Sequence, residues 1–477
     1  MIFTSLGFVI FFPLVVLLFY LTRLKYRWIT LLAASYYFYL NIEPIFGFLT
    51  ASITLSTYYF TLAIDRAKDD AKKSLYKNVN IALVLLPLFF FKYFEAVNHG
   101  VFDLLESCNL RWPLPSISLF LPIGISFYTF MAIGYTIDVY NEEIVAEKRF
   151  GIVALFISFF PLVLSGPIER AKNMFPQFHN PLKINPNNIS AGMKLMLWGY
   201  FMKLVVADRL SIYVDSVYGS IEHQTGTTLL LAVLLYPIQV YADLGGYSLI
   251  AIGASKILGL NVMCNFNRPF FATSMAEFWR RWHISLISWL TDYIFKPLSF
   301  NLRNLGLWGI VLSLMITFLI SGIWHGAALT FVAWGLLQGL YLSIEALTNK
   351  RRMQIEDKYN LKRNFAYLSI CIVLTYLLFS ASQIFGRAAT LGDSFYVFQK
   401  ILFEQGRLHI DKTTIAYAVI GMILLLASDF RDEFYPKRLL LFNNGNMLVR
   451  FCSYVSIALL ILWIGVLNGG QFIYFKY

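Results

Sequence analysis

Two histidines stand in this sequence where imidazoles are costly to place. His325 lies within residues 321–326 (SGIWHG), and no charged side chain occurs from 305 to 324 or from 326 to 344. An ionisable group in so apolar a run must pair or face a polar cavity, which makes it a candidate for function. Gly322 and Gly326 leave room for a ligand to approach the ring. About forty residues earlier, residues 278–283 (FWRRWH) set His283 beside Trp279, Arg280, Arg281 and Trp282. Histidine titrates near neutrality, so general acid–base catalysis is the chemistry such a pair could perform. Quieter explanations stand beside it: His325 can bond a backbone carbonyl and pack, and His283 can belong to an aromatic belt at the membrane interface. Asp243 lies in an apolar run within residues 241–248 (YADLGGYS). A buried carboxylate must be paired or protonated, so it is either a helix-pairing ion or a site group.

Other chemistries lack their signatures. The chain has no P-loop, no GxSxG elbow and no HExxH, which removes the usual marks of ATP hydrolysis, elbow-type esterases and zinc proteases. Cys108, Cys264, Cys371 and Cys452 are scattered without metal-ligand spacing, so neither a zinc site nor a disulfide framework is expected. His99, His179, His223 and His409 fall in expected loops or near helix ends and are assigned no chemistry.

The elements that must position the histidines follow from composition. Of 477 residues, 58% are hydrophobic and only 14% charged, whereas a soluble chain carries about a quarter charged residues. The apolar residues come in runs of about twenty, long enough as helices to cross a hydrocarbon core. The expected class is all-α: a single polytopic membrane domain over 1–477 with about 11–13 transmembrane helices plus re-entrant or interfacial helices. The net charge of +12 is spread through short loops and signals cytoplasmic loops, with no nucleic-acid partner. Arg23, Lys25 and Arg27, then residues 65–77 and 349–363, are net basic; they place the N-terminus outside the cytoplasm, in a cell (cytoplasmic) membrane. Residues 2–21 lack the n-region charge and cleavage site of a signal peptide and read as a retained first span.

Five local expectations follow for these elements. Residues 79–94 cross to a loop at 95–115. From 150 to about 186 the pattern loosens around Pro176, Pro181 and Pro186, which implies a re-entrant or interfacial segment. Pro237 and the glycines after Asp243 are expected to break a span at 229–258. Residues 275–300 read as one amphipathic helix, which would put Trp279 and His283 on one face as i and i+4. For 305–347, a plain hairpin would put His325 near the outer face and a helix broken at Gly322 or Gly326 would hold it deeper; both stay open.

These residues together resemble the membrane-bound O-acyltransferase family, in particular its bacterial branch of alginate O-acetylation and teichoic-acid D-alanylation membrane proteins. The matching stretches are 122–130 (PIGISFYTF), 135–140 (YTIDVY), 158–170 (SFFPLVLSGPIER), 241–253 (YADLGGYSLIAIG), 265–270 (NFNRPF), 277–286 (EFWRRWHISL) and 322–326 (GIWHG). They run in the family's order through an acyltransferase core at 121–347, with flanking transmembrane helices at 1–120 and 348–477. The resemblance implies that His325 is the family's catalytic histidine and His283 its second signature histidine. Trp279, Arg280, Arg281, Trp282, Asp243 and Trp324 are then candidates for substrate binding. It further implies an acyl donor, most simply acetyl-CoA, with no bound cofactor or metal. The acceptor it implies is a cell-surface polysaccharide or a separate extracytoplasmic acetyltransferase partner. Two alternatives stay open: D-alanyl transfer from an acyl carrier protein, and a transporter or flippase without chemistry.

Overall fold

The computed structural model describes residues 1–41, 44–108, 122, 124–180, 183–436, 438 and 440–467, and every regular element among them is a helix. Nine of the described helices are long and apolar enough to cross a bilayer; Leu6–Leu21 and Phe150–Val163 are shorter apolar segments. The chain is a multi-pass helical membrane protein. Its contacts gather into two compact units, one of Met1–Met193 and Ile250–Met263, the other of Lys194–Leu249 and Cys264–Tyr477.

In the first unit, helices Pro44–Arg66, Asp70–Ser107 and Ile125–Tyr140 are tied by Asn80. Its amide donates to Thr136 Oγ1 at 2.7 Å and its Oδ1 accepts from Ser56 Oγ at 2.7 Å. Where lipid gives helices no hydrophobic reason to associate, such buried polar links and small residues hold them together. The loop expected from residue 95 is instead helix as far as Ser107, capped at its start by Asp69. The remainder of that loop, and positions 121 and 123 beside the 122–130 motif, lie outside the described residues. The loosened pattern after 150 is observed as Phe150–Ser158, Phe160–Val163 and Ala171–His179 joined by non-helical backbone, with 152–169 buried. Glu169 holds that backbone in place, accepting from Asn173 Nδ2 at 2.9 Å and from the backbone N–H of Arg170 and of Met263. Pro186 begins the next helix, where its missing N–H costs nothing.

In the second unit two expectations are corrected. Helix Gly226–Ile257 runs unbroken through Pro237 and past Gly245–Gly246. The Tyr376 hydroxyl donates to the carbonyl of Leu234, one turn before the proline, the kind of outside partner that lets a membrane helix keep a proline. The glycines permit close packing instead of a break: a Cβ on Gly246 would lie 2.8 Å from the Gly199 carbonyl oxygen. The irregularity falls on the neighbouring helix, where residues Phe201–Ala207 form a π-helical segment. Lys203 within it is buried and reaches Asp208 at 2.8 Å and Asp243 at 2.7 Å. Asp243 is thereby a helix-pairing ion, joining the π segment to the helix opposite.

The second correction concerns residues 275–300, which are not one helix. Met275–Arg281 and Ile284–Leu290 are separate short helices, followed by a π-helical segment Thr291–Phe295 and the helix Lys296–Asn301. The break falls at Trp282 and His283, the residues of interest.

Candidate active site

Leu307–His325 and Leu329–Lys358 form a plain helical hairpin with His325 as the last residue of its first helix. Glycines set the separation of the two helices: a Cβ on Gly322 would meet the Phe331 carbonyl oxygen at 2.4 Å and Gly335 Cα at 3.2 Å. Gly322→Ala must therefore spread the hairpin next to His325. We expect about a 10²-fold loss of turnover from the displaced imidazole with a lowered Tm; a variant with wild-type turnover would show that this spacing does not position His325.

His325 Nδ1 lies 2.6 Å from the Ser321 carbonyl oxygen. A carbonyl only accepts, so Nδ1 carries the proton, and in the neutral ring Nε2 carries the lone pair of a base. Trp324 stands edge-on to the imidazole at 4.7 Å between centroids and Trp334 lies at 4.8 Å.

The second histidine is positioned by backbone strain. Ser274 caps Met275–Arg281 by accepting from Glu277 N, and Glu277 returns to accept from Thr273 N at 2.8 Å. Beyond Arg281 the chain turns extended at Trp282, and His283 adopts φ +44°. That left-handed conformation is unfavourable for a side chain of this size and persists only when its surroundings impose it. Asn265, fully buried, supplies them. Its backbone carbonyl accepts from Ile284 N at 2.9 Å. Its Oδ1 accepts from Ser285 N at 3.2 Å and Ser285 Oγ at 2.9 Å, and lies 3.1 Å from His283 Nδ1. A backbone N–H can only donate, so that side-chain atom is an acceptor and His283 Nδ1 must donate to it. Both histidines are thus held with Nδ1 protonated.

His283 is 1% exposed and lies outside the nine spanning helices. Burial, with His325 adding repulsion, pulls its pKa from 6.5 down to about 3. Between those values the unfolded chain binds the proton that the native state refuses. Native stability is therefore full above pH 6.5 and falls as pH drops towards 3. Thermal unfolding of the solubilised protein is expected to show this slope, and His283→Asn a shallower one; identical slopes would exonerate His283.

The two imidazoles meet at one cavity of about 50 Å³, walled by Trp279, Trp282, Trp334 and Phe379. The space suits a few waters or a two-carbon acyl group. Trp279 is fixed as a wall because its indole N–H donates to Gln338 Oε1 at 3.3 Å, and Gln338 Nε2 in turn donates to Ser382 Oγ at 2.6 Å. Trp282 lies stacked on Phe278.

Of the residues singled out by sequence, His325, His283, Trp279 and Trp282 line this cavity. Trp279 and His283 reach it from either side of a chain break instead of from one helical face. Trp324 packs on the His325 ring without joining the lining. Arg280 is exposed. Arg281 is clamped between Glu277 at 2.6 Å and Glu433 at 3.0 Å, and Asp243 serves Lys203. Sequence reasoning missed Asn265 as the holder of His283, and it missed Trp334, Phe379 and Gln383 in the lining. For Gln383 a signal existed: a polar amide within the apolar helix Phe365–Arg387.

The membrane-bound O-acyltransferase family profile matches residues 150–385, a span holding both histidines. A Pseudomonas putida protein named "Probable alginate O-acetylase AlgI" is 33% identical over 449 residues, covering 92% of this chain and 89% of its own. A Helicobacter pylori peptidoglycan O-acetyltransferase is 31% identical, covering 66% of this chain and 63% of its own. A Streptococcus thermophilus teichoic acid D-alanyltransferase is 29% identical over 50% of this chain and 60% of its own.

Proposed function

Because this chain belongs to the membrane-bound O-acyltransferase family, we propose that His325 is the general base of an O-acetyl transfer that modifies a cell-surface polysaccharide. One observation carries the reading: His325 and His283, held on separate elements, face a single acyl-sized cavity. The donor is acetyl-CoA, its nucleotide held outside that cavity with only the acetyl thioester entering. His325 Nε2 takes the proton as the acceptor oxygen attacks the thioester carbonyl. The C–S bond then breaks and the thiolate leaves with that proton as free CoA thiol, so no free alkoxide or thiolate is released. His283, a neutral acceptor through Nε2, orients the attacking hydroxyl.

The sidedness follows from the basic loops. The donor enters from the cytoplasmic face of the inner membrane and the N-terminus lies outside. The acetyl group passes to a polysaccharide hydroxyl, or to the nucleophile of a separate extracytoplasmic acetyltransferase. The acetyl group is favoured over D-alanyl because the two O-acetylating relatives align over more of this chain than the D-alanyltransferase does. Family membership also weighs against a transporter without chemistry. The reading is tested with protein in lipid nanodiscs and radiolabelled acetyl-CoA plus an oligosaccharide acceptor. CoA release with label on the acceptor is expected. Label that moves only from a D-alanyl carrier protein would overturn the acetyl assignment.

A further inference from the structure

Fixing both tautomers leaves the developing oxyanion without a histidine donor. His325 Nδ1–H is committed to the Ser321 carbonyl and His283 Nδ1–H to Asn265. In each neutral ring Nε2 then presents a lone pair, and the proton that His325 Nε2 gains is the one it hands to the leaving sulfur. A hydroxyl attacking a thioester makes the carbonyl oxygen negative, and a lone pair there repels it. Catalysis of acyl transfer draws its largest electrostatic gain from donors aimed at that oxygen. The cavity must supply one from elsewhere.

We propose that the side-chain amide of Gln383 is this donor, its Nε2–H bonding the acyl carbonyl oxygen as the tetrahedral intermediate forms and collapses. Gln383 lines the cavity with both histidines, and it is 8% exposed. Among the described residues nothing accepts from or donates to its amide. An amide that faces the cavity without a protein partner keeps its hydrogen-bonding capacity for what enters, and a bound carbonyl would use it. Its surroundings keep it in place. Ser382, the preceding residue, is anchored to Gln338, and Gly386, one turn on, leaves room for the amide oxygen, since a Cβ there would lie 3.3 Å from Gln383 Oε1. Two competing donors on the lining are engaged or shut away. The Trp279 indole serves Gln338, and the Trp334 N–H, though without an acceptor among the described residues, is sealed from solvent-sized groups. The remaining donors on the lining belong to Trp282, whose ring is stacked on Phe278, and to Tyr236. The oxygen's charge is thus met by a neutral amide that neither accepts the proton nor leaves, and the attacking and leaving groups balance as in the transfer itself.

This inference rests on the acyl-transfer reading, and the test separates the two. Wild type, Gln383→Met, Gln383→Glu, Tyr236→Phe and Trp282→Phe are reconstituted in nanodiscs, and kcat and KM for acetyl-CoA are measured with Tm as a check on folding. Gln383→Met is expected to lower kcat by about 10²–10³-fold, with KM within about threefold of wild type, the pattern of an interaction made only in the transition state. Gln383→Glu keeps the shape, replaces the donor with an acceptor, and should be worse still; it also guards against a misfolded Met variant. Wild-type kcat in Gln383→Met, a rise in KM alone, or a larger kcat loss in Tyr236→Phe or Trp282→Phe than in Gln383→Met overturns the assignment while transfer by wild type stands. A wild type that never cleaves the thioester sinks the acyl-transfer reading itself.

Discussion

Replacing His325 with alanine is expected to cut acetyl transfer by about 10²–10⁴-fold, the usual contribution of a positioned general base. Its Nδ1 proton is spent on the Ser321 carbonyl at 2.6 Å, so the ring enters the reaction with one lone pair in one orientation, at the end of a helix whose glycines fix its place. His325→Gln is the sharper comparison. It keeps a polar side chain of similar reach at the hairpin turn but cannot act as a base near neutrality. Both variants should keep the wild-type Tm, because the ring packs on Trp324 and Trp334 at a half-buried turn and not in a helix–helix seam. KM for the donor should move little in either, since the base acts on the acceptor's proton. Full activity in His325→Gln, with folding verified, would transfer the role of base to another residue.

The second large effect is on stability. Lys203 is 1% exposed, and its ammonium lies within 2.8 Å of carboxylates on both Asp208 and Asp243. Removing one member of a buried ionic group leaves opposite charge without its counterion, at a cost of about 3–5 kcal/mol. Lys203→Met should therefore lower Tm sharply and reduce the folded yield from membranes. The combined Lys203→Met, Asp208→Asn and Asp243→Asn variant should recover much of the loss, because neutral partners remove the stranded charge. A triple variant as unstable as the single one would mean that the lysine packs the π-helical segment through its stem, with its charge incidental. Turnover in the recovered triple variant, per folded molecule, should approach wild type if Asp243 pairs helices and takes no part in the chemistry.

The fold class and the two histidines were legible because they follow from one-dimensional signals. Twenty-residue apolar runs dictate spanning helices, and an imidazole isolated in one of them stands out. The run around His325 was readable only to two alternatives, a plain hairpin or a broken helix, because its length and glycines fit both; the structure has the hairpin. What could not be read is where backbone conformation departs from periodicity. Residues 275–300 carry a good helical pattern, yet His283 breaks it with a positive φ. The cause is Asn265, eighteen residues earlier, whose hydrogen bonds depend on tertiary position. Pro237 and Gly245–Gly246 mislead the other way. They weaken an isolated helix, but inside a packed unit the glycines admit a neighbouring backbone and Tyr376 supplies a donor beside the proline. Arg280 and Arg281 attracted attention as anion ligands by type alone. The structure gives Arg281 to Glu277 and Glu433 and turns Arg280 outward. Gln383 was passed over because its helix matched no motif, although a polar amide in an apolar span is the same kind of signal that singled out His325.

The central claim is that His325 drives transfer of an acetyl group from a cytoplasmic thioester to a hydroxyl on the far side of the membrane. The most direct test reconstitutes wild type and His325→Ala in sealed proteoliposomes of known orientation, with radiolabelled acetyl-CoA confined to the cytoplasmic-equivalent side and an oligosaccharide acceptor to the other. Labelled acceptor should accumulate with wild type in step with CoA release, and neither should exceed background with the well-folded variant. Equal transfer by His325→Ala, or label that appears on the acceptor only when donor and acceptor share one compartment, would contradict it.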